Sequence, residues 1–510
     1  MNAKSGKVFL IGAGPGDPGL VTVRGRDCIA VADVVVYDYL AAPALLRHAR
    51  GEAEKIYVGK KGGDHTLSQD GINALLVEKA AAGHIVARLK GGDPYIFGRG
   101  GEEAEALVDA GIPFEVVPGV TSGVAAAAYA GIPLTHRDHT TAVAFVTGHE
   151  DPTKAESTIH WPSLARGIGT LVFFMGVGNL PKIVERLVEH GRDPATPVAL
   201  VRWGTTPKQV TVAGTLADIV ERVRAAGLKA PAITVVGDVV GLRDRLGWFE
   251  RRPLLGRRIV VTRARHQASE LVERLAVLGA DTLECPTIEV IPPKDWTELD
   301  RALETLDACD WIVFTSVNGV RFFFGRLFET GRDVRSLGRV RTACIGPATA
   351  EALRTFGLNT DILPESYRAE SVVTAFERED VKNRRILIPR AAEARPILPA
   401  ELLRMGASVN EVAVYHTVQA RDGVAELHAG LAEGSVDMIT FTSSSTVRNF
   451  RALFPEAADP TAILNGARIA SIGPITSDTA RELGFPVHIE AESYTIPGLV
   501  AAIEAHFAPR

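Results

Sequence analysis

Residues 11–25 read IGAGPGDPGLVTVRG and follow directly on the apolar run 7–11. An apolar run closed by glycines predicts a strand entering a tight turn. Glycine reaches backbone angles closed to other residues and admits a ligand close to the chain. The turn departs from the GxGxxG dinucleotide fingerprint. Its third glycine comes two residues after the second, with Pro15 between them, so the glycine that packs a helix onto its strand is misplaced. A nicotinamide site is therefore poorly supported.

Four further signatures follow in order: VVVYDYL from Val34, VGKK from Val58, RLKGGDPYIFGRGGEE from Arg88 and VPGVTSGVAAAAYAGIPLTHR from Val117. Short apolar runs alternate with helical patterns between them. Residues 34–37 and 85–89 read as strands, 69–82 as a helix with Ser68 as its N-cap, and 101–110 as another helix. A second lobe begins near Pro118 and Gly119. It carries an alanine-rich helix over 122–130, strands at 142–147, 170–175, 197–203 and 232–237, and a helix over 180–190. Alternation of this kind predicts an α/β fold with a largely parallel core sheet. The charged, proline-containing segment 243–256 reads as the end of this half, with 251–256 as a short linker.

The other half is duplicated. RRIVVTRA from Arg257 returns as RRILIPRA from Arg384, and TSVNGVRFF from Thr315 as TSSSTVRNF from Thr442, at an offset of 127 residues. CIGPATAEALRTFG from Cys344 returns as SIGPITSDTARELG from Ser471, and Tyr367 as Tyr494, at the same 127. One offset shared by four matches predicts two copies of one unit, 257–383 and 384–510. Residues 259–262 read as a strand, 267–278 as a helix and 283–291 as a second strand. Two chains of βα units predict two α/β lobes.

Bulk properties exclude several classes. A chain of 510 residues carries a prior of about three or four folding units. Its 46% hydrophobic and 23% charged content is that of a globular protein with sizeable cores. A net charge of −5 gives no electrostatic reason to expect nucleic acid or an anionic membrane. The N-terminus lacks signal-peptide architecture, and no apolar run reaches the roughly 18 residues of a membrane span. Cys28, Cys285, Cys309 and Cys344 are scattered, which reads as free thiols in a reducing cytoplasm. No histidine spacing suggests a metal site.

Taken together, the five glycine-rich signatures resemble the uroporphyrinogen-III C-methyltransferase family over about residues 1–250. The resemblance implies a two-lobed tetrapyrrole-methylase fold with lobes of about 1–118 and 119–245. It implies S-adenosyl-L-methionine as cofactor, and two methylations of uroporphyrinogen III giving precorrin-2. Cofactor contacts then fall on Pro15, Gly91, Gly92, Asp93, Ile96, Thr121, Ser122, Met175 and Gly204. Asp38 and Lys60 match the positions proposed for base and acid. The eight carboxylates of the substrate call for counter-charges. Arg24, Arg26, Arg99, His136 and Arg137 are the candidates, with Arg137 in LTHR foremost. A homodimer through this domain is implied as well.

The duplicated half, 257–510, resembles the uroporphyrinogen-III synthase family through VTRA, TSVNGV, TSSSTV, the paired IGP turns and VYHTV from Val414. The resemblance implies that 257–291 packs with 418–510 as one lobe against 296–412, with strands near 290 and 415 as a two-strand hinge. It implies cyclisation of hydroxymethylbilane to uroporphyrinogen III with inversion of ring D. Tyr415 matches the tyrosine proposed as acid for departure of the hydroxyl. Thr315, Ser316, Ser443 and Thr476 stand where strands turn into helices, whose N-termini favour anions. Arg263 and Arg390 repeat each other as candidate carboxylate partners.

The combined expectation is a bifunctional cytoplasmic enzyme acting on tetrapyrroles, with no nucleic acid, membrane or metal. The alternative is a methyltransferase for a later corrinoid intermediate fused to a non-catalytic two-lobed tetrapyrrole-binding module. Sirohaem and cobalamin both remain open as destinations of the product.

Overall fold

The computed structural model describes residues 6–59, 67–149, 158–263, 265–364, 369–394, 396–420, 423–456 and 459–508, without the side chains of 265–269 and 369. The chain divides into two compact units. One comprises Met1–Arg257, Leu275–Asp281 and Phe507–Arg510, the other Arg258–Arg274 and Thr282–His506.

The first unit opens with five strands: β1 Lys7–Gly12, β2 Val34–Tyr37, β3 Glu54–Tyr57, β4 Ile85–Lys90 and β5 Phe114–Val117. They form one sheet in the order β3-β2-β4-β1-β5, and every pairing is parallel. Parallel strands need crossover connections, which here run over the helices Val23–Val31, Gln69–Ala81 and Gly100–Asp109. Both faces of β1 are covered. Val8 and Leu10 join one apolar cluster, Phe9 and Ile11 another. The Ser68 hydroxyl accepts from the Gly71 N–H, as its N-cap position requires.

The second lobe departs from the parallel expectation. Its strands are β6 Val143–Thr147, β7 Thr170–Phe174, β8 Pro197–Arg202, β9 Val210–Thr215 and β10 Ala232–Val236, in the order β6-β7-β10-β8-β9. Only β6 and β7 run parallel; β7/β10, β10/β8 and β8/β9 are antiparallel. The short connection from β8 to β9 permits nothing else.

The segment read as a boundary linker is packed structure. Leu254 is fully buried and Phe249 nearly so. The Glu250 carboxylate accepts from Gln209, Thr211 and Arg243, and the Trp248 indole donates to Ala128 O at 3.1 Å.

The second unit contains two sheets. Strands β11 Arg258–Val261, β12 Asp281–Glu284, β18 Met438–Phe441, β19 Arg468–Ser471 and β20 Ile489–Glu490 form the first, ordered β12-β11-β18-β19-β20. Strands β13 Ile288–Ile291, β14 Trp311–Phe314, β15 Arg341–Cys344, β16 Arg385–Ala391 and β17 Ser408–Gln419 form the second, ordered β13-β17-β16-β14-β15. The stretch read as one strand over 283–291 is thus two strands in different sheets. Pro286, which has no N–H to donate to a ladder, lies between them.

The repeat does not map one copy onto one lobe. β11 pairs with β18, while β16 pairs with β14. Each sheet therefore takes the first two strands of one copy, β11 and β12 or β16 and β17, and the last three of the other, β18 to β20 or β13 to β15. The chain passes from one sheet to the other between β12 and β13 and back again after β17, and β13 runs antiparallel to the end of β17.

Candidate active sites

In the first unit the glycine-rich turns meet at the carboxyl ends of β1 and β4, where open parallel sheets place their ligand sites. Gly14 and Gly92 exchange backbone hydrogen bonds of 3.2 and 2.7 Å. A Cβ on Gly119 would lie 2.4 Å from Gly92 O and 2.6 Å from the Gly12 Cα. Three segments thus touch backbone to backbone, and only glycine permits that approach. Asp93 locks the arrangement, since its Oδ1 accepts from the Tyr95 N–H at 2.8 Å and its Oδ2 from the Gly119 N–H at 3.0 Å. Both carboxylate oxygens are engaged by backbone donors, so Asp93 holds the turn in shape.

Around this junction the backbone is strained. Phe97, Arg99, Met175, Trp203 and Thr205 are non-glycine residues at φ of 55, 58, 55, 50 and 72°. Such conformations cost about 1–3 kcal/mol each and gather at functional sites. Met175 follows β7 and is 54% exposed, as a core methionine would not be. Ile96 is 37% exposed, likewise an apolar side chain left facing solvent. Gly204 has no room for a side chain, since its Cβ would meet Ala126 Cβ at 2.5 Å. Thr121 precedes the helix Ser122–Tyr129 without spending its hydroxyl on the cap. Pro15 sits between Gly14 and Gly16, both at positive φ.

Asp17 is a residue that motif reading passed over. Its carboxylate accepts from the Tyr129 hydroxyl at 2.8 Å, and its N–H donates to Thr205 Oγ1 at 3.0 Å. It ties the first turn to the second lobe. Burial, with Asp17 beside it, pushes the Tyr129 hydroxyl up to about 12, so it stays a donor throughout the neutral range.

Asp38 ends β2. Its Oδ1 accepts from the Leu40 N–H at 3.0 Å, and its Oδ2 lies 3.3 Å from Arg88 Nη2. Behind it Glu103, Arg88 and Lys90 are buried together, and burial pushes the Lys90 ammonium below its ordinary range, with Arg88 adding to it. Lys60 lies outside the described residues. Of the candidate counter-charges, Arg24 binds Glu115 at 2.7 Å, Arg26 binds Asp27 at 3.0 Å and Arg99 binds Glu102 at 2.5 Å. His136 faces Asp138 at 3.9 Å. Arg137 is exposed and has no ion pair among the described residues.

In the second unit Ser316 and Ser443 cap the helices Val317–Glu329 and Ser444–Ala452, accepting from Gly319 N at 3.0 Å and Thr446 N at 3.3 Å. Capping occupies one lone pair of each. Ser316 Oγ also lies 3.0 Å from the Tyr415 hydroxyl, and the Phe322 ring stacks on Tyr415 at 5.8 Å. Tyr415 is 7% exposed, and burial pushes its hydroxyl above the usual range. Thr315 directly precedes the cap, half-buried. Thr476 is buried in the first turn of the helix Pro474–Glu482, as its repeat mate Thr349 is in Pro347–Arg354. Arg390 is 6% exposed and binds Glu411 at 2.8 Å. Arg263 is half-buried, and burial lowers its guanidinium from its ordinary value. Among the described residues no cluster of three or more His, Cys, Asp and Glu could hold a metal ion. No helix described is long and apolar enough to cross a membrane.

The comparisons with known proteins agree with this division. Residues 7–220 match the model of the tetrapyrrole (corrin/porphyrin) methylases, and 269–501 that of uroporphyrinogen-III synthase HemD. The porphyrin biosynthesis protein HemD of Ruminiclostridium josui is 37% identical over 97% of this chain and 97% of its own length. The uroporphyrinogen-III C-methyltransferase of Bacillus subtilis is 43% identical over 72% of this chain and 75% of its own. An S-adenosyl-L-methionine-dependent uroporphyrinogen III methyltransferase of Methanosarcina barkeri is 55% identical, covering 48% of this chain and 97% of its own. The chain therefore belongs to the porphyrin-biosynthesis family in which a tetrapyrrole methylase and a uroporphyrinogen-III synthase are fused on one polypeptide.

Proposed function

We propose that the second unit closes hydroxymethylbilane to uroporphyrinogen III, inverting ring D, and that the first unit methylates this product twice, giving precorrin-2. The observation that carries this reading is the co-linear match of two families on one chain, because the product of the second unit is the substrate of the first. The methylase relatives make S-adenosyl-L-methionine the methyl source.

The residues present fit that cofactor. Gly91, Gly92 and Gly119 leave the turn free of side chains, Thr121 keeps a hydroxyl available, and Met175 is presented at positive φ beyond β7. When bound, S-adenosyl-L-methionine supplies a methyl group activated by its sulfonium. The chain's task is then to hold the reacting pyrrole carbon in line and to exclude water. Asp38 accepts at its carboxylate the proton that the macrocycle gives up, and the bonding pair returns to the ring. Lys60 is the partner acid. Arg137, exposed and unpaired among the described residues, meets a substrate carboxylate. A homodimer through the first unit and a cytoplasmic setting complete the reading.

In the second unit the main task is to fold a reactive chain, so substrate contacts are spread over Thr315, Ser316, Arg263, Arg390, Ser443 and Thr476. The Tyr415 hydroxyl, protonated at neutral pH, donates to the departing hydroxyl. Tyr415→Phe keeps the stack on Phe322 and loses that donor. It should lower the rate of uroporphyrinogen III formation by less than the about 10²–10⁴-fold that a sole general acid contributes. The check is the ratio of isomers III to I formed from hydroxymethylbilane. A wild-type chain yielding only isomer I would refute the synthase assignment.

A further inference from the structure

Strand β4 carries two cations into the core of the first lobe. Arg88 is 3% exposed and Lys90 4%, and Glu103, from the helix Gly100–Asp109, is fully buried. Lys90 Nζ donates to Glu103 Oε1 at 2.6 Å, and Arg88 Nε donates to the same oxygen at 3.2 Å. Arg88 Nη1 donates to Leu89 O at 2.9 Å, and Nη2 faces Asp38 Oδ2 at 3.3 Å. Glu103 Oε2 is buried without a hydrogen-bond partner among the described residues.

Stability does not explain this cluster. Charges taken out of water lose more than their pairing commonly returns, and apolar replacement of a buried ion network is often neutral or stabilising. An unpartnered carboxylate oxygen adds to the cost. What the cluster provides is direction. Arg88 and Lys90 lie two residues apart on one strand, so both point to the same face. The planar guanidinium is held at two of its nitrogens and aims the third at the Asp38 carboxylate, whose side chain is 27% exposed at the end of β2. Lys90 also ends where the GGDP turn begins, and its carbonyl accepts from the Ala13 N–H at 2.8 Å.

We propose that Arg88, fixed by the buried Glu103–Lys90 pair, is the positioning residue that orients the Asp38 carboxylate for proton transfer during methylation. This rests on the assignment of Asp38 as proton acceptor. A lysine at 88 cannot reproduce the role, because one ammonium does not span acceptors that lie in three directions.

The test uses the full chain. Arg88→Met, Lys90→Met and Glu103→Met combined remove all three charges of the cluster at once, so none of the three is left as a buried charge without its counter-charge. Arg88→Lys, made separately, keeps the charge and removes the fork. For each, thermal unfolding, the Kd for S-adenosyl-L-methionine, and kcat and KM for uroporphyrinogen III are measured. The expected result is an unchanged Kd and KM with kcat lower by about 10²-fold, the effect of misplacing a reacting group by about 1 Å. A folded triple variant or an Arg88→Lys variant with full kcat overturns the inference. If the triple variant fails to fold, Arg88→Lys decides alone. Asp38→Asn run beside them separates the two assignments. Normal kcat there removes Asp38 and this inference together, whereas a crippled Asp38→Asn beside normal Arg88 variants overturns the inference alone.

Discussion

Gly119→Ala should weaken binding of S-adenosyl-L-methionine by about 100-fold while leaving ring closure by the second unit intact. The added methyl carbon would sit 2.4 Å from Gly92 O and 2.6 Å from the Gly12 Cα, well inside contact distance. Both obstacles are backbone atoms of turns locked to their strands, so no rotamer change relieves the clash. Overpacking of this kind costs about 1–3 kcal/mol, and more where the neighbours cannot move. That corresponds to about 5–150-fold in a binding equilibrium, with the upper end expected here. Nor is the loss confined to the point of contact, because the Gly119 N–H is one of the two donors that hold Asp93. Calorimetry with S-adenosyl-L-methionine and an isomer assay on the same preparation check both halves of the statement. Unchanged cofactor affinity would show that the glycine junction does not shape the site.

Asp38→Ala should lower methyl transfer by about 10²–10⁴-fold, the range for removal of a general acid or base. Cofactor affinity should persist, since the Asp38 side chain meets Leu40 N–H and Arg88 and takes no part in the glycine junction. The substitution also takes from the buried Arg88 guanidinium one of its two carboxylate neighbours, Glu103 remaining, so part of the loss belongs to that broken pairing. Asp38→Asn keeps the shape and separates the two contributions. Single-turnover kinetics with excess enzyme are the appropriate measurement, because a slowed second methylation would then appear as accumulated monomethylated product. Turnover near that of the unaltered chain would return Asp38 to the role of a turn residue that caps the Leu40 N–H.

Much of the fold was legible because it is local. IGAGPGD and GGDP mark the ends of β1 and β4, Ser68 caps its helix, and the offset of 127 residues revealed the duplication. What escaped was set by long-range pairing. β9, VTVAGT, lies at the edge of its sheet and is only half-buried, so its pattern is weak. Nothing local distinguishes β12 from β13 as members of different sheets. The exchange of opening strands between the two copies leaves no trace in the repeat itself, since matching sequences fix a shape and not a partner; only the resemblance to the synthase family pairs 257–291 with 418–510. The site shows the same division. Residues inside dense motifs, such as Gly92 and Asp93, could be found by eye. Arg88, Lys90 and Glu103 could not be read as one cluster, because Glu103 is brought against β4 by a helix that starts only after the intervening segment 91–99. The trace they leave is two cations in a strand that is otherwise apolar. Asp17 left less, since an aspartate after glycines is an ordinary turn residue. The strained angles at Met175 and Trp203 are properties of the folded backbone alone.

The claim that two consecutive activities reside on one chain is tested most directly by one feeding experiment. The purified protein is given hydroxymethylbilane, with or without S-adenosyl-L-methionine, and the products are resolved by isomer and by mass. Without the methyl donor the account predicts uroporphyrinogen III as the main isomer; with it, the same macrocycle carrying two added methyl groups. Isomer I as the main product, or isomer III left unmethylated in the presence of the donor, would contradict it.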